Sequence, residues 1–226
     1  MKKYRISRIR ELSPSTMAFT FEPVDDPIDY IPGQFLFLNI LNDKGESVVR
    51  RPYSIASAPG QELELCIKLV KGNLTGKLEH MKEGDLVGIE PGGTHFGYNG
   101  ETKCGLIAGG TGISPMLSIL RHAAAKKIKG DFTLFFSARS RGEIMYESDL
   151  RELDENPNIK IVITLTREDW EGEKGRICHP MIGKYAPDAK ERTWWICGPL
   201  GMIKAMKECL LELGVDPRKI KIEGWG

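Results

Sequence analysis

The first 92 residues alternate between apolar and polar positions in short runs, and turn residues such as Pro32-Gly33 and Asp43-Lys44-Gly45 separate the runs. Alternation of this kind is typical of strands that bury one face. Strands are predicted at residues 4–9, 17–21, 34–40, 62–70 and 86–90, with a further extended stretch at 51–54 and a helical pattern at 74–81. The pattern predicts a small antiparallel barrel or sandwich.

The pattern changes after a polar joint at residues 94–103, because apolar strands then alternate with helical segments. Strands are predicted at 104–108, 132–138, 159–165, 194–197 and 220–223, and helices at 115–126, 148–153 and 200–213. Pro115 fits the first turn of its helix, and Gly214 fits just past the end of the last one. The alternation predicts a doubly wound parallel α/β sheet. We therefore expect an all-β domain at 1–98 and an α/β domain at 99–226.

Two local expectations concern the second half of the chain. Trp194 and Trp195 are expected to divide between the core and the surface of one strand. The acidic run at 168–174 is expected to be a solvated loop.

Composition narrows the class of protein. The chain has 226 residues, of which 41% are hydrophobic and 28% charged, and this suits a globular protein with substantial cores. Its formal charge of +1 gives no reason to expect nucleic acid or an anionic membrane as a partner. No apolar run reaches the length of a membrane span, and the basic start lacks an apolar signal core, so we expect a cytoplasmic protein.

The cysteines and histidines argue against a bound metal. The five cysteines are scattered without a Cys-x-x-Cys pair, and the four histidines show no ligand spacing. A disulfide framework, a zinc site and an iron–sulfur cluster are therefore not expected. We expect no metal site, so any redox cofactor should be organic.

Gly110-Thr111-Gly112 follows an apolar strand and precedes a helix. Such a turn lets the backbone pass close to a pyrophosphate at the positive end of the helix, although Pro115 stands where the dinucleotide fingerprint has its third glycine. The absence of Gly-Lys-Ser/Thr argues against a nucleoside triphosphatase. The turn predicts a nucleotide site, and the alternative is a purely structural turn.

Arg51-Pro52-Tyr53-Ser54 puts a cation, an aromatic ring and a hydroxyl on one extended stretch. The guanidinium suits phosphate oxygens, the ring offers a flat face, and the hydroxyl can donate a hydrogen bond. The loop at 72–76 opens a short helix, whose backbone amides and Thr75 hydroxyl offer a second phosphate contact. The alternative is an edge-strand arginine beside a buried tyrosine.

Cys197 ends an apolar strand at the edge where α/β sheets bind ligands, and Glu223 and Trp225 follow the final strand. A buried apolar role is the commoner fate of a free cysteine, and no histidine lies near it in sequence to support a nucleophile. Ser114 lacks the second glycine of a hydrolase elbow, which argues against acyl transfer.

In order, these segments closely resemble the ferredoxin–NADP reductase superfamily of flavin-dependent oxidoreductases, over nearly the whole chain. Pro32-Gly33-Gln34-Phe35 is similar to the family's first barrel-strand motif. The resemblance implies a six-stranded antiparallel β-barrel that binds FAD, in which Arg51 binds the pyrophosphate, Tyr53 stacks on the isoalloxazine and Ser54 approaches its reactive nitrogen. The other implied flavin-binding positions are Pro52, Ile67, Lys68, Leu69, Val70, Gly72, Leu74, Thr75 and Gly76.

The second half resembles the family's NAD(P)-binding domain. The implied nucleotide contacts are Gly110, Thr111, Gly112, Ser137, Ala138, Arg139, Thr166, Arg167, Cys197, Gly198 and Pro199. In the family the cysteine lies near the nicotinamide, and a carboxyl-terminal aromatic ring covers the flavin until nicotinamide displaces it. The resemblance therefore implies that Ser54, Cys197, Glu223 and Trp225 are the catalytic residues and that Trp225 also contacts the flavin. Gly226, which follows that tryptophan, departs from the family pattern.

The resemblance implies an enzyme that moves hydride from NADPH or NADH to bound FAD, and then electrons to a carrier protein such as ferredoxin or flavodoxin. Thr166-Arg167-Glu168 is similar to a segment whose arginine meets the ribose phosphate in NADP enzymes, and Arg139 adds a second cation. We therefore favour NADPH, although Glu143 and Glu168 count against it. A free-flavin reductase and an electron-relay subunit of a larger oxidoreductase are the alternatives.

Overall fold

A computed structural model describes residues 1–224, and its first half is a sheet of six antiparallel strands. The strands are β1 (Lys2–Ser13), β2 (Thr16–Pro23), β3 (Phe35–Leu41), β4 (Ser47–Ser54), β5 (Leu63–Lys68) and β6 (Leu86–Pro91), with helix α1 (Thr75–Leu78) before β6. Their order is β4-β3-β6-β1-β2-β5. The two edges meet through a bridge between Ile55 and Leu65, and through a hydrogen bond of 2.8 Å from the Ala56 N–H to the Glu64 carbonyl. This contact closes the sheet into a barrel, and the expected fold class is confirmed.

The barrel is filled by the apolar side chains that alternate along its strands. Ile6, Phe21, Leu36, Leu65 and Ile89 are all fully buried there. Each buried side chain of this kind contributes about 1.5–3 kcal/mol relative to exposure, so this core holds the first half together.

Helix α1 is shorter than the sequence pattern predicts. The chain after Leu78 continues in tighter turns, with hydrogen bonds of 3.1 Å from the His80 N–H to the Lys77 carbonyl and from the Met81 N–H to the Leu78 carbonyl. Bonds to the third residue back are typical of a helix end, so the predicted segment at 74–81 is helical only in its middle.

The second half is a parallel sheet with helices on both faces. Its strands are β7 (Lys103–Gly109), β8 (Asp131–Ala138), β9 (Ile159–Leu165), β10 (Glu173–Lys174), β11 (Thr193–Gly198) and β12 (Ile220–Gly224). Its helices are α2 (Ile113–Ala125), α3 (Glu147–Asp154), α4 (His179–Tyr185) and α5 (Leu200–Glu212). The order β10-β9-β8-β7-β11-β12 reverses between β7 and β11, and ligands bind at such a switch point in doubly wound sheets. Pro115 lies in the first turn of α2, and Gly214 lies just past α5 with φ +79°, as predicted.

The expectation that Trp194 and Trp195 divide between core and surface is wrong, because both indoles are fully buried. Strand β11 lies inside the sheet, so Trp195 packs with α2 on one face while Trp194 packs with α4 and α5 on the other. Each indole N–H is satisfied: Trp195 donates to the Phe96 carbonyl at 2.8 Å, and Trp194 to the Ala189 carbonyl at 2.9 Å. Trp195 thereby also ties β11 to the end of the barrel domain.

The expected solvated loop at 168–174 is also partly wrong. Its last two residues form strand β10, which pairs in parallel with Thr164 and Leu165 of β9. The Trp170 indole donates to the Glu173 carbonyl at 2.7 Å and packs against the core. Within residues 1–224, none of the helices combines the length and the apolar character that crossing a membrane would require.

Candidate functional site

The two halves meet at the carboxyl edge of the parallel sheet, where Ser54 and Glu223 form a hydrogen bond. Ser54 ends β4 of the barrel and Glu223 lies on β12, and Ser54 Oγ is 2.8 Å from Glu223 Oε2. Both residues are buried. In the register of β11 with β12, Cys197 lies directly opposite Glu223. The structure therefore brings together three of the four predicted catalytic residues, and Trp225 falls outside the described residues.

Cys197 is a neutral thiol in this position. Its side chain is fully buried, and burial raises the pKa of the thiol well above its ordinary value, with the negative charge of Glu223 acting in the same direction. A protonated thiol is a poor nucleophile. The arrangement favours a role in shaping the site over covalent chemistry.

His95 is a member of this cluster that the sequence argument did not single out as a site residue. Its Nε2 lies 4.0 Å from Glu223 Oε1, and its side chain is 64% exposed where that of Glu223 is 3% exposed. The imidazole therefore stands between a buried carboxylate and solvent. The signal in the sequence was its place in the polar joint at residues 94–103, between the two halves of the chain.

A cavity of about 830 Å³ lies along the same sheet edge. The barrel contributes residues 13–16 and Lys68 to its wall. Most of the nucleotide-binding positions predicted in the second half also line it, namely Gly110, Thr111, Gly112, Ser137, Ala138, Arg139, Thr166, Gly198 and Pro199. The wall residues that the sequence argument missed include Met145 and Arg176.

Two helices begin at this cavity, and their first turns suit an anion. Within the described chain, no side chain caps α2, the turn before it or α5. Uncapped first-turn N–H groups carry a partial positive charge and accept phosphate oxygens. Gly110 has φ +57°, and a Cβ at Gly112 would overlap the backbone carbonyl of Cys197. The backbone here is therefore open for a ligand, and it is packed so closely against β11 that only glycine fits at Gly112.

Two arginines at the cavity follow strands β8 and β10, which lie on either side of β9 in the sheet. Arg139 comes directly after β8 and Arg176 lies just after β10, and both line the cavity. The side chain of Arg167 is not part of this wall, and its backbone N–H donates to the Arg139 carbonyl at 2.9 Å. The sequence analysis gave Glu143 and Glu168 as acids that count against NADPH. Glu143 lines the cavity, whereas Glu168 accepts a hydrogen bond of 2.8 Å from the backbone N–H of Arg141.

The predicted flavin-binding residues lie on the barrel side. Arg51 is exposed on β4, and Tyr53, two residues further along the same strand, is half-buried against the barrel core. Burial raises the pKa of Tyr53 to about 12 against the opposing charge of Arg51, so the ring stays neutral. A neutral aromatic face with a cation on the same side of the strand fits a flat cofactor that carries phosphate.

The loop before α1 is closed by its own threonine. The Thr75 hydroxyl accepts a hydrogen bond of 3.2 Å from the Gly72 N–H and donates to the Val70 carbonyl. The side chain of Thr75 is buried, so its contact in this structure is with the loop itself. Ile67 belongs to β5 and the barrel core, and the rest of the predicted flavin set is Pro52, Leu69, Leu74 and Gly76 around the same strand ends and loop.

Comparison with known proteins identifies the family. A model of the oxidoreductase FAD-binding domain matches residues 3–98, and a model of the oxidoreductase NAD-binding domain matches residues 106–208. The chain belongs to the ferredoxin–NADP reductase superfamily. It is an oxidoreductase of this family, and the expected cofactors, FAD with a pyridine nucleotide, are confirmed at the level of its two domains.

Proteins similar to this reductase-family chain belong to different enzyme systems. The gamma subunit of sulfhydrogenase 1 from Pyrococcus furiosus is 29% identical over 97% of this chain and 78% of the relative. The ferredoxin--NAD(P)(+) reductase component of the naphthalene 1,2-dioxygenase/salicylate 5-hydroxylase systems of a Ralstonia species is 28% identical, over 88% of this chain and 61% of the relative. The FAD/NAD-binding domain of a nitric oxide dioxygenase from Vibrio cholerae shares the fold, with a TM-score of 0.89 at 23% identity, covering 100% of this chain and 98% of that domain. The chain thus spans only part of the length of these curated relatives.

Proposed function

We propose that this protein takes hydride from NADPH or NADH onto bound FAD and then delivers electrons to a carrier protein of the ferredoxin or flavodoxin type. The observation that carries the proposal is the hydrogen bond between Ser54 and Glu223, beside the neutral thiol of Cys197. It joins the barrel half to the nucleotide half at the carboxyl edge of the sheet, where two cofactors held by the two halves would meet. We assign FAD binding to residues 1–98 and NAD(P) binding to residues 99–226.

The residues of the chain have separate tasks in this proposal. Bound FAD supplies the chemistry, since it accepts a hydride and releases electrons singly or in pairs. Tyr53 offers a neutral ring to one face of the flavin, and Arg51 neutralises phosphate. The first turns of α2 and α5 hold the pyrophosphate of the pyridine nucleotide. Hydride transfer requires close and parallel rings, so the main task of the protein is positioning.

Ser54, Glu223 and His95 have a further task in this proposal, which is to carry a proton. Ser54 Oγ and Glu223 Oε2 share one hydrogen bond, and His95 Nε2 faces Glu223 Oε1 from the solvent side. The three side chains form a path from the buried edge of the site to water. When electrons pass to the carrier and a proton is released at the site, Ser54 Oγ can take up that proton and give its own to Glu223 Oε2, and His95 lies 4.0 Å beyond Glu223 on the solvent side.

The choice of nucleotide follows from the cations in the cavity. Arg139 and Arg176 come from the carboxyl ends of β8 and β10, with Thr166 from β9 between them. Guanidinium groups pair well with phosphate, so this edge favours the additional phosphate of NADPH. We propose Arg176 as a selector alongside Arg139, and Arg167 stays a prediction from the sequence.

An anaerobic titration with NADPH and then NADH tests the proposed function. The purified protein should carry a visible flavin band that low concentrations of NADPH bleach, and addition of oxidised ferredoxin or flavodoxin should restore the band. A colourless protein that reduces added flavin would establish a free-flavin reductase. A yellow protein that neither nucleotide bleaches would establish a relay subunit, and either result would overturn the proposal.

A further inference from the structure

Helix α2 donates two hydrogen bonds to the barrel, from Ser118 and Arg121, beyond the first turn that follows the nucleotide turn. Ser118 Oγ donates a hydrogen bond of 2.7 Å to the Ser57 carbonyl. One turn later, Arg121 Nη1 donates to the Ala56 carbonyl at 3.0 Å. Ala56 and Ser57 lie only two and three residues beyond Ser54. A single helix therefore connects the Gly110–Gly112 turn with the chain segment that carries Ser54.

The segment that α2 holds is itself fixed in the barrel. The Ala56 N–H donates to the Glu64 carbonyl at 2.8 Å, and the Glu64 N–H donates to Ser57 Oγ at 3.0 Å. Tyr30 adds a contact of 3.0 Å between its hydroxyl and Ser57 Oγ. These bonds belong to the seam that closes the barrel, so the anchor point of α2 is a rigid one.

Arg121 is the centre of a largely buried charge cluster between the domains. Its Nη1 donates to Glu64 Oε1 of β5 at 2.8 Å, and its Nη2 donates to Asp149 of α3. The side chains of Arg121 and Glu64 are 15% and 8% exposed. Arg10 reaches the same two carboxylates from the solvent side, with Nη2 at 3.9 Å from each and a side chain that is 41% exposed.

The geometry of these contacts specifies an orientation. A guanidinium holds its donors in a rigid plane, so Arg121 satisfies a carbonyl, a barrel carboxylate and a helix carboxylate in only one arrangement of the two halves. Charged hydrogen bonds away from water are strong, and removal of one partner leaves the others unpaired. The Tyr146 ring lies 5.3 Å from this guanidinium and further limits its position.

We infer that Arg121, assisted by Ser118, is a positioning residue for hydride transfer. This inference rests on the proposed function, in which each half of the chain holds one cofactor. Arg121 fixes the nucleotide turn relative to Ser54, and through this it sets the distance between the two reacting rings without contact with either. Hydride transfer is sensitive to such placement, since an error of about 1 Å can lower a rate by about 100-fold.

The test is the rate of flavin-band bleaching at saturating NADPH in a stopped-flow instrument, for the wild-type protein, Arg121→Gln, Arg121→Lys and Ser118→Ala. We expect Arg121→Gln to lower the bleaching rate at least tenfold, while flavin content and the Kd for NADPH stay within twofold. Arg121→Lys should recover only part of the rate, because an ammonium lacks the planar fork. Ser118→Ala removes one neutral hydrogen bond and should lower the rate by a few-fold in a folded protein, so the test stands even if the arginine variants fold poorly.

Arg10→Gln is the matched control, because it removes the exposed guanidinium of the same cluster, and its bleaching rate should equal that of the wild type. A purely stabilising role for Arg121 would lower the Tm and leave the bleaching rate of the folded variants unchanged, and that result would overturn the inference alone. A wild-type protein that no pyridine nucleotide bleaches would instead overturn the proposed function, and with it this inference.

Discussion

Ser54 Oγ lies 2.8 Å from Glu223 Oε2, although 169 positions separate the two residues in the chain. The bond crosses from the barrel to the last strand of the parallel sheet. Its partners are buried, so neither side chain can exchange this bond freely for one with water. The two halves of the protein are thus joined at the point where we propose that hydride moves.

Ser54→Ala should therefore lower the rate of flavin-band bleaching by about 10- to 100-fold, with little change in the Kd for NADPH. Glu223→Gln should have a smaller effect, because the amide keeps the shape of the carboxylate. Since the two side chains share one bond, the double variant should be no slower than the slower single variant. Stopped-flow bleaching measures all three rates.

The matched control for this pair is Ser148→Ala, which changes an exposed serine on α3 and should bleach at the wild-type rate. Strictly additive effects of Ser54→Ala and Glu223→Gln would contradict a direct coupling between the two residues.

Arg176 should distinguish the two pyridine nucleotides. It lines the same cavity as Arg139, at the carboxyl edge that also contributes Thr166. Arg176→Gln should raise the KM for NADPH by about tenfold or more and leave the KM for NADH within twofold, because a charged hydrogen bond to phosphate contributes about 1.5–3 kcal/mol. Steady-state kinetics with both nucleotides measures the effect.

Arg167→Gln is the comparison, since Arg167 is an exposed arginine that follows β9 and does not line the cavity. If it raises the KM for NADPH and Arg176→Gln does not, the prediction from the sequence is right and the assignment of Arg176 is wrong. Equal losses for NADPH and NADH in both variants would exclude phosphate selection by either residue.

The sequence predicts the fold well because the two halves differ in their hydrophobic period. Short alternating strands and the strand–helix alternation are both local patterns that the sequence shows directly. Because the glycine turn at 110–112 follows one of the predicted strands, its place at the carboxyl edge of the sheet is predictable too. Trp194 and Trp195 show the limit of local reasoning. Alternation suggested one exposed indole, but β11 is covered on both faces, which only the order of the strands reveals.

The site was predicted less completely than the fold, because several of its contacts depend on distant parts of the chain. Strand β10 has two residues and α4 has seven, too few for a periodic signal, and Arg176 lies between them. His95 meets Glu223 only after the last strand joins the sheet. Arg176 and His95 belong to no local motif, so only the arrangement of the strands shows that they lie at the site.

Gly112 should tolerate no side chain. A Cβ at this position would overlap the backbone carbonyl of Cys197, and both backbones are parts of the regular structure that cannot move independently. Gly112→Ala should push the nucleotide turn away from β11, with a loss of NADPH binding of about tenfold or more and a destabilisation of about 1–3 kcal/mol. Isothermal titration and thermal unfolding measure the two effects.

Gly183 of α4 provides the matched control for Gly112. A Cβ there has no heavy atom of the described chain within 4 Å outside its own helix backbone and neighbours. Gly183→Ala should stabilise the protein by about 0.5–1 kcal/mol, because alanine favours the helix, and it should leave NADPH binding unchanged. Wild-type NADPH binding by Gly112→Ala would contradict the close packing of the turn against β11.

Glu101 should make the protein sensitive to acid. Desolvation alone would raise the pKa of this carboxyl, but hydrogen bonds from Lys221, at 2.9 Å, and from the Asn99 N–H, at 2.8 Å, outweigh it and lower the pKa below the ordinary 4.5. Stability from the carboxylate is therefore fully present above pH 4.5 and is lost as the pH falls through the lowered value. At pH 7 Glu101→Gln should unfold about 2–4 °C below the wild type, since the partly exposed bond contributes about 1 kcal/mol. The difference should shrink as the pH falls below 4.5, which thermal unfolding at a series of pH values measures.

Glu147→Gln is the control for Glu101→Gln, because it breaks an exposed pair with Arg151 and should change the Tm by about 1 °C or less. A difference for Glu101→Gln that stays constant down to pH 2 would show that the Lys221 bond does not act through the charge of Glu101.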